Sequence, residues 1–243
     1  MKFLVVGESC RDIFHYGNCT RICPEAPVPI FNSVELKENG GMAKNVQRNL
    51  IALGCKANLC TNKNWRSITK TRFIDVRSNH MFMRLDVNDE QIQRSKLKSV
   101  NFSTYSGIII SDYNKGFLTE EDIEYISNQH DNTFLDTKKI LGDWCKNIGF
   151  IKINNEEFDK SKKLINDKIY NKMIVTLGPD GSMHNDVIYP VPLVEIKDPS
   201  GAGDTFVAAF AKNFTENKNI ESAIRFANEC ATQVVQKKGV NTV

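Results

Sequence analysis

The feature that most constrains this chain is the stretch DPSGAGDT at residues 198–205. Residues 194–196 before it predict a strand, and the apolar run over residues 205–214 after it predicts a helix. The stretch therefore predicts a glycine turn between a strand and the start of a helix. Glycines let the backbone come close to a ligand. Free N–H groups and the dipole at a helix N-terminus favour anions, so the turn is typical of a phosphate site.

Asp204 lies inside this turn, where a carboxylate would repel a phosphate group. One interpretation gives the side chain a task, which is to accept the proton of a hydroxyl that attacks a phosphoryl group. The alternative is that Asp204 caps the helix, because Asp is a favoured N-cap residue. The stretch by itself leaves both interpretations open.

The composition indicates one globular α/β domain. The chain has 243 residues, of which 41% are hydrophobic and 25% charged, and no linker or repeat divides it. The net charge of +3 comes from scattered basic residues, so nucleic acid and membranes are not expected partners. The first residues, MKFLVVGES, predict a strand instead of a signal peptide, and we expect a cytoplasmic protein.

Cysteine and histidine give no sign of a metal or disulfide framework. The chain has seven cysteines and four histidines, without a CxxC, HxH or HExxH pattern. We expect reduced thiols in or near the core.

Residues 198–209, DPSGAGDTFVAA, resemble the C-terminal signature of the ribokinase-like (PfkB) carbohydrate kinases. The resemblance implies a three-layer α/β/α fold with a small β-strand lid. It also implies that Asp204 is the catalytic base and that the amides of Gly201, Ala202 and Gly203 hold the transferred phosphoryl group. The chain contains no GxxxxGK[ST] sequence, so the phosphate site is not a P-loop.

Two further stretches resemble one subfamily, the D-glycero-D-manno-heptose 7-phosphate kinases. They are RICPEAPVP at residues 21–29 and SDYNKG at residues 111–116, which contains Lys115. The resemblance implies ATP-dependent phosphorylation of the anomeric hydroxyl of that sugar phosphate, which gives the 1,7-bisphosphate. A kinase of another sugar or of a nucleoside is the alternative within the class.

The resemblance also assigns residues to the two substrates. Asp12, at the end of the first predicted strand, is a candidate for holding sugar hydroxyls, and the GG…N helix start implies that Gly41 and Asn45 contact the sugar. Gln47 departs from the family, which usually has a small residue there. The basic residues that we consider for the distal phosphate are Arg11, Lys44, Arg72, Arg84 and Lys115.

The N-x-x-E motif implies that Asn154 and Glu157 position Mg²⁺, with Glu157 acting through water. The alternative is a helix capping box. Thr176, Gly178 and Gly181 lie in a strand-turn-strand segment that suits a nucleotide, although an ordinary hairpin turn would look the same. Asp198 resembles a residue near the family's monovalent-cation site, which implies activation by K⁺.

One βα segment of the family is missing after residue 62. We therefore expect a sheet that is narrower on one side, with an exposed edge that association could cover. Lid strands are expected near residues 20–36 and 68–86, with the proline-rich residues 20–30 covering the sugar site, and a homodimer through the lid is a further expectation. The missing segment also leaves open a catalytically idle relative that binds sugar phosphates.

Overall fold

The computed structural model describes residues 1–97 and 99–243, which form twelve strands and six α-helices within those ranges. The strands are β1 Lys2–Gly7, β2 Arg11–Ile22, β3 Pro29–Asn39, β4 Lys56–Cys60, β5 Thr69–Asp75, β6 Met81–Val87, β7 Gly107–Asp112, β8 Thr133–Thr137, β9 Phe150–Asn154, β10 Met173–Thr176, β11 Ser182–His184 and β12 Val187–Tyr189. The helices are α1 Met42–Ala52, α2 Glu120–Gln129, α3 Asn155–Ser161, α4 Asp167–Tyr170, α5 Ala202–Asn217 and α6 Ile220–Val235.

The main sheet is the middle layer of a three-layer α/β/α domain. Its order is β12-β11-β10-β9-β8-β7-β1-β4, parallel from β10 to β4 and antiparallel at β11 and β12. Successive side chains of β1 point to opposite faces, so Phe3 and Val5 pack with α1, α5 and α6, while Leu4 and Val6 pack with α2 on the other face. Burial on both faces explains the continuous apolar runs of the central strands. The expected fold class is confirmed.

A second sheet, the lid, has the order β3-β2-β5-β6. Its first strand, β2, starts at Arg11, only four residues after the end of β1, and runs for 12 residues. Phe14, Tyr16 and Ile74 are buried between the lid and the C-terminal segment around Val240. The sequence prediction placed the first lid strand near residue 20 and missed most of β2.

The proline-rich segment lies at the far end of the lid. Residues 23–28 connect β2 to β3, and Ile22 pairs with Pro29 while Asp12 pairs with Asn39. From Pro29 to Asn39 the strand spans roughly 30 Å at about 3.3 Å per residue. The expectation that residues 20–30 cover the sugar site is therefore wrong for a single copy of the chain, because the prolines mark the tip of a hairpin.

The strand predicted at residues 194–196 is absent, and residues 190–198 form no regular structure. Pro190 and Pro192 lack the N–H groups that a sheet needs. The N–H groups of Lys197 and Asp198 donate instead to the carbonyl oxygen of Val235, at 2.8 and 3.1 Å. The glycine turn is thus anchored to the C-terminal end of α6.

The main sheet ends at β4, where a βα segment was expected to be missing. The chain leaves β4 and reaches the lid strand β5 through a short 3₁₀ helix, Trp65–Ser67. The N–H of Lys56 donates on the β1 side, to the carbonyl of Met1. Because the backbone groups of successive residues point to opposite sides of a strand, the carbonyls of Ala57 and Thr61 point to the open side of β4. Gln47 donates to the Ala57 carbonyl at 2.9 Å, and Ser95 donates to that of Thr61 at 2.6 Å. These side chains bond edge carbonyls that a further strand would otherwise meet.

Among the described residues, no helix is both long enough and apolar enough to span a bilayer.

Candidate active site

The carboxyl ends of the parallel strands meet at one edge of the main sheet, which is where open α/β sheets bind ligands. A cavity of about 140 Å³ lies at this edge, between the ends of β7, β8 and β9 and the first turn of α5. Its lining residues are Asp112, Tyr113, Asp136, Lys138, Lys152, Asn154, Glu157, Gly201, Gly203 and Asp204. The structure thus brings the predicted Asn154, Glu157 and glycine turn together around one space.

The glycine turn has the geometry of an anion site. Gly201 is the N-cap of α5 and has a φ of 82°, a left-handed conformation that favours glycine. The first N–H groups of a helix have no acceptor within it, which leaves those of Gly203 and Asp204 available. The N–H of Ala202 differs, because it donates to the carbonyl of Pro199 at 3.2 Å. Of the three predicted amides, that of Ala202 is already engaged.

Asp204 does not cap the helix. Gly201 holds the cap position and no side-chain cap hydrogen bond is present there. The Asp204 carboxylate accepts hydrogen bonds from two other elements: the Tyr113 hydroxyl donates to Oδ1 at 3.0 Å, and Asn45 Nδ2 donates to Oδ2 at 3.3 Å. The side chain is only 3% exposed. The capping alternative is therefore wrong for Asp204.

The surroundings give Asp204 the proton affinity of a base that works near neutral pH. Burial, and to a lesser extent the nearby Asp136 carboxylate, raise the pKa of Asp204 from its ordinary 3.8 to a net value of about 7. The Tyr113 hydroxyl, the Lys152 ammonium and the Asn45 amide act in the opposite direction and lower the pKa. A general base is most effective when its pKa is close to the working pH.

Asn154 and Glu157 form the capping box of α3. The Glu157 N–H donates to Asn154 Oδ1 and the Asn154 N–H donates to Glu157 Oε2, both at 2.8 Å. The second carboxylate oxygen, Oε1, accepts from Lys138 Nζ at 3.0 Å. The capping alternative is therefore present, and the same side chains also line the cavity beside Asp204. The cap and the ion pair with Lys138 together engage both carboxylate oxygens, and the metal interpretation stays a prediction.

The predicted sugar residues lie on the lid side of Asp204. Asp12 is buried and forms an ion pair with Arg72 across the lid. Gly41 has a φ of 53°, and a Cβ at this position would lie 2.8 Å from Cys10 Sγ, so only glycine fits. Asn45 has a buried Oδ1 without a partner among the described residues. This oxygen is suited to accept a hydrogen bond from a ligand hydroxyl.

The basic residues considered for a distal phosphate mostly have acidic partners. Lys115 Nζ lies 2.5 Å from Asp89 Oδ2, Arg84 bonds Asp86, and Arg11 bonds Glu38. Lys44 differs, because its Nζ lies over the Trp65 ring at 3.8 Å. Lys70 joins the group on Asp89, at 2.5 Å from Oδ1, and was not predicted. The inner end of the lid therefore has several basic side chains, but most of them already form ion pairs with carboxylates.

A more apolar cavity of about 240 Å³ adjoins the glycine turn on its other side. Thr176, Gly178 and Gly181 line it, opposite Phe206 of α5 and residues of α6. Cavities that are apolar with a few polar groups are typical of small-molecule sites. Asp198, the remaining residue predicted for the cofactors, is not among the residues that line it. Its two carboxylate oxygens accept from the N–H groups of Ser200 at 2.8 Å and Gly239 at 3.2 Å.

Several residues of the site were not predicted from the sequence. Tyr113 follows a predicted strand end and donates to Asp204. Glu8 is fully buried and accepts from the N–H groups of Tyr113 and Lys115, so it positions their loop. Lys152 and Asp136 form a buried ion pair beneath α5. The signal available for Lys152 was a charged residue within the apolar run of residues 150–153.

Curated relatives match the whole chain but extend beyond it. The bifunctional protein HldE of Sulfurimonas denitrificans is 30% identical over 299 aligned residues, covering 100% of this chain and 62% of that protein. HldE of Helicobacter acinonychis is 29% identical over 294 residues, covering 98% of this chain and 63% of that protein. The chain thus spans less than two thirds of these relatives. The alignments are longer than the chain, as a missing internal segment requires.

Solved structures share the fold at low identity. Thermotoga maritima ribokinase matches with a TM-score of 0.70 and 16% identity, covering 98% of this chain and 94% of that one. Escherichia coli phosphofructokinase-2, in complex with potassium, matches with a TM-score of 0.69 and 16% identity, covering 99% and 94%. The family model described as "pfkB family carbohydrate kinase" matches residues 61–243. The chain is a member of the pfkB family of carbohydrate kinases.

Proposed function

We propose that this sugar kinase transfers the γ-phosphoryl group of ATP to D-glycero-D-manno-heptose 7-phosphate, at the anomeric hydroxyl, to give the 1,7-bisphosphate. The main support for the proposal is that Asp204 is a buried carboxylate beside the free amides of an anion turn. The choice of sugar rests on the relatives named HldE together with the RICPEAPVP and SDYNKG stretches.

In the proposed reaction, Asp204 accepts the proton of the anomeric hydroxyl. The oxygen then attacks the γ-phosphorus in line, a new O–P bond forms, and the bond to ADP breaks. The N–H groups of Gly201 and Gly203 hold the charge that develops on the phosphoryl oxygens. We expect Ala202 to contribute less, because its N–H already donates to Pro199.

A magnesium ion would be held at the wall of the cavity that Asn154 and Glu157 form. A carboxylate and an amide oxygen are hard donors of the kind that Mg²⁺ prefers, usually with several waters retained. Glu157 would hold the ion through water and Asn154 would position it; both already line the cavity. When bound, the metal would neutralise phosphate charge. We also propose activation by K⁺ near Asp198, as the family resemblance implies.

The two substrates would enter from opposite sides of the glycine turn. Asp12, Gly41 and Asn45 would hold sugar hydroxyls beneath the lid, with Lys115 toward the distal phosphate. Thr176, Gly178 and Gly181 would lie along the nucleotide in the apolar cavity of about 240 Å³. In this proposal the γ-phosphoryl group would lie between the two sites, at Asp204.

There are two alternatives to this proposal: a kinase of another acceptor, and a protein without kinase activity. A different sugar or a nucleoside would use the same base and anion turn. A catalytically idle relative that binds sugar phosphates is favoured by one observation, the main sheet that ends at β4. ATP turnover against heptose 7-phosphate, ribose, fructose 6-phosphate and adenosine separates these. Turnover that requires heptose 7-phosphate supports the proposal, turnover with another acceptor changes the substrate, and binding without turnover indicates the idle relative.

We further propose a homodimer through the lid and a cytoplasmic location. The lid leaves apolar side chains exposed on β3 and β6, among them Val34 at 59%, Leu36 at 56% and Met83 at 52%. A second copy is the partner that would cover such a surface with its own matching strands. The seven cysteines are free thiols, as expected in a reducing compartment that also supplies ATP.

A further inference from the structure

Lys152 is a buried cation at the centre of the site that the proposed reaction does not use. It lies in β9, whose apolar residues Ile151 and Ile153 point into the core on the far face of the sheet. Because side chains alternate along a strand, Lys152 points to the opposite face, toward the start of α5. Its side chain is only 11% exposed. The charge of a lysine in this position is costly to bury unless it is paired and hydrogen-bonded.

The pairing of Lys152 is incomplete. Its Nζ lies 3.2 Å from Asp136 Oδ1 and 3.1 Å from Oδ2. An ammonium group has three N–H donors, and Asp136 is its only hydrogen-bond partner within residues 1–97 and 99–243. Lys152 also lines the cavity that contains Asp204 and Glu157. The ammonium group therefore faces the space where the phosphoryl group would be transferred.

Gly203 gives the clearance that this arrangement needs. A Cβ on residue 203 would lie 2.8 Å from Lys152 Nζ, closer than real Cβ contacts allow. Gly203 does not have a positive φ, so its conformation does not explain the glycine. The absence of a side chain instead lets the ammonium group lie directly against the anion turn. Two sources of positive potential, the helix N-terminus and Lys152, therefore meet at one point.

We propose that Lys152 is a further catalytic residue, which contacts the transferred phosphoryl group of ATP, and that Asp136 is the positioning residue that holds its ammonium group against the anion turn. This inference rests on the proposed function. Lys152 transfers no proton: it stays an ammonium while the O–P bond to the sugar forms, the bond to ADP breaks and the sugar proton passes to Asp204. Its positive charge stabilises the charge on the equatorial oxygens, as cations do in phosphoryl transfer.

The test compares wild type, Lys152→Met, Asp136→Asn and the double variant. Each single change disrupts a buried ion pair, whereas the double variant removes both charges and restores neutrality. If Lys152 only neutralises Asp136, the double variant regains activity. If Lys152 contacts the phosphoryl group, kcat stays about 10²–10³-fold below wild type in the double variant, as for loss of an oxyanion donor. Lys139→Met breaks a second buried Lys–Asp pair, with Asp112, and gauges the stability cost.

A pH profile gives an independent readout. The groups that act on Asp204 are Tyr113, Asn45, Asp136 and Lys152, and the variants leave the other cavity-lining charges, Asp112, Lys138 and Glu157, in place. The acid limb of kcat/KM should move to higher pH in Lys152→Met and to lower pH in Asp136→Asn. Equal limbs in all variants would contradict the placement of Lys152 beside Asp204.

A binding measurement separates failure of this inference from failure of the proposed function. Titration calorimetry with Mg²⁺ gives the ratio of the ADP and AMP-PNP dissociation constants for wild type and the double variant. We expect this preference for the triphosphate to fall about tenfold without Lys152. A ratio that does not change overturns the inference, even if wild type phosphorylates the sugar. If wild type phosphorylates no sugar, the proposed function fails and the ratio still decides the contact.

Discussion

The hydroxyl of Tyr113 donates a hydrogen bond of 3.0 Å to Oδ1 of Asp204, although the two residues lie 91 positions apart in the sequence. Tyr113 comes from the loop after β7, and Asp204 lies in the first turn of α5. The bond orients one carboxylate oxygen, and Asn45 donates to the other, Oδ2, at 3.3 Å. The base of the proposed reaction is thus held by side chains from two elements that lie far from it in the sequence.

Tyr113→Phe removes one hydrogen bond from the ionised form of Asp204. Because that bond lowers the pKa of Asp204, its loss raises the pKa, and a bond of about 1 kcal/mol corresponds to roughly 0.7 pH unit. We expect the acid limb of kcat/KM to move upward by about this amount, with a smaller change in rate above pH 8. Tyr125→Phe, in the ring pair with Phe102, is the matched control. Superimposable profiles for Tyr113→Phe and wild type would contradict the assignment.

Glu157→Gln separates the proposed metal role of Glu157 from its capping role, since Gln also fits a capping box. We expect half-saturating Mg²⁺ to rise about tenfold or more, because loss of a carboxylate weakens a metal site. Asp122→Asn is the control, as Asp122 closes the same kind of capping box on α2 with Thr119. Both variants should unfold near the wild-type midpoint. An identical magnesium titration for Glu157→Gln would leave capping as its only role.

Asp204→Asn should stabilise the fold at alkaline pH. The folded pKa of about 7 lies above the ordinary 3.8, so the carboxylate contributes stability that is present at low pH and lost as pH rises toward 7. At pH 8 the buried charge costs roughly 2–4 kcal/mol, which the variant removes. The gain should shrink to less than half at pH 5. Urea unfolding at both pH values measures it, and an equal or lower stability at pH 8 would contradict the raised pKa.

A homodimer through the lid should depend on its exposed apolar face. Leu36→Thr with Met83→Thr lowers the apolar area of that face, so we expect the dimer to dissociate at concentrations where wild type stays associated. Light scattering across a dilution series gives the mass. Ile51→Thr, an equally exposed change on α1 at 54%, should have no effect. A monomeric wild type at all concentrations would exclude the dimer.

The parts of the fold that could be predicted from sequence are those that local pattern determines. The apolar run of β1 and the glycine turn at residues 198–205 each indicated their own structure. The strand expected at residues 194–196 does not form, because Pro190 and Pro192 lack the N–H donors of a sheet. The end of the segment instead donates hydrogen bonds to the C-terminal end of α6. The proline-rich tip of the lid was placed wrongly because strand length decides where a hairpin ends, and β2 begins at Arg11.

The parts of the site that could not be predicted depend on pairing between distant elements. Asp204 and the N-x-x-E residues belong to motifs, so they were found. Tyr113 lies in the SDYNKG stretch, which gave this residue no role, and Lys152 lies outside every motif that was considered. Their positions beside Asp204 follow from the order of β7, β8 and β9 in the sheet. The capping role of Glu157 also needed coordinates, because a capping box and a metal-binding pair have the same spacing.

In the proposed reaction, Asp204 is the base of a sugar-phosphate kinase. The most direct test is turnover of ATP with heptose 7-phosphate by wild type and Asp204→Asn, with ATP affinity measured on the same samples. We expect kcat to fall about 10²–10⁴-fold in Asp204→Asn, because the proton acceptor is lost. ATP affinity should be unchanged or slightly higher, because a negative charge beside the anion turn is removed. Near-normal turnover by Asp204→Asn on the sugar that wild type phosphorylates would show that Asp204 is not the base.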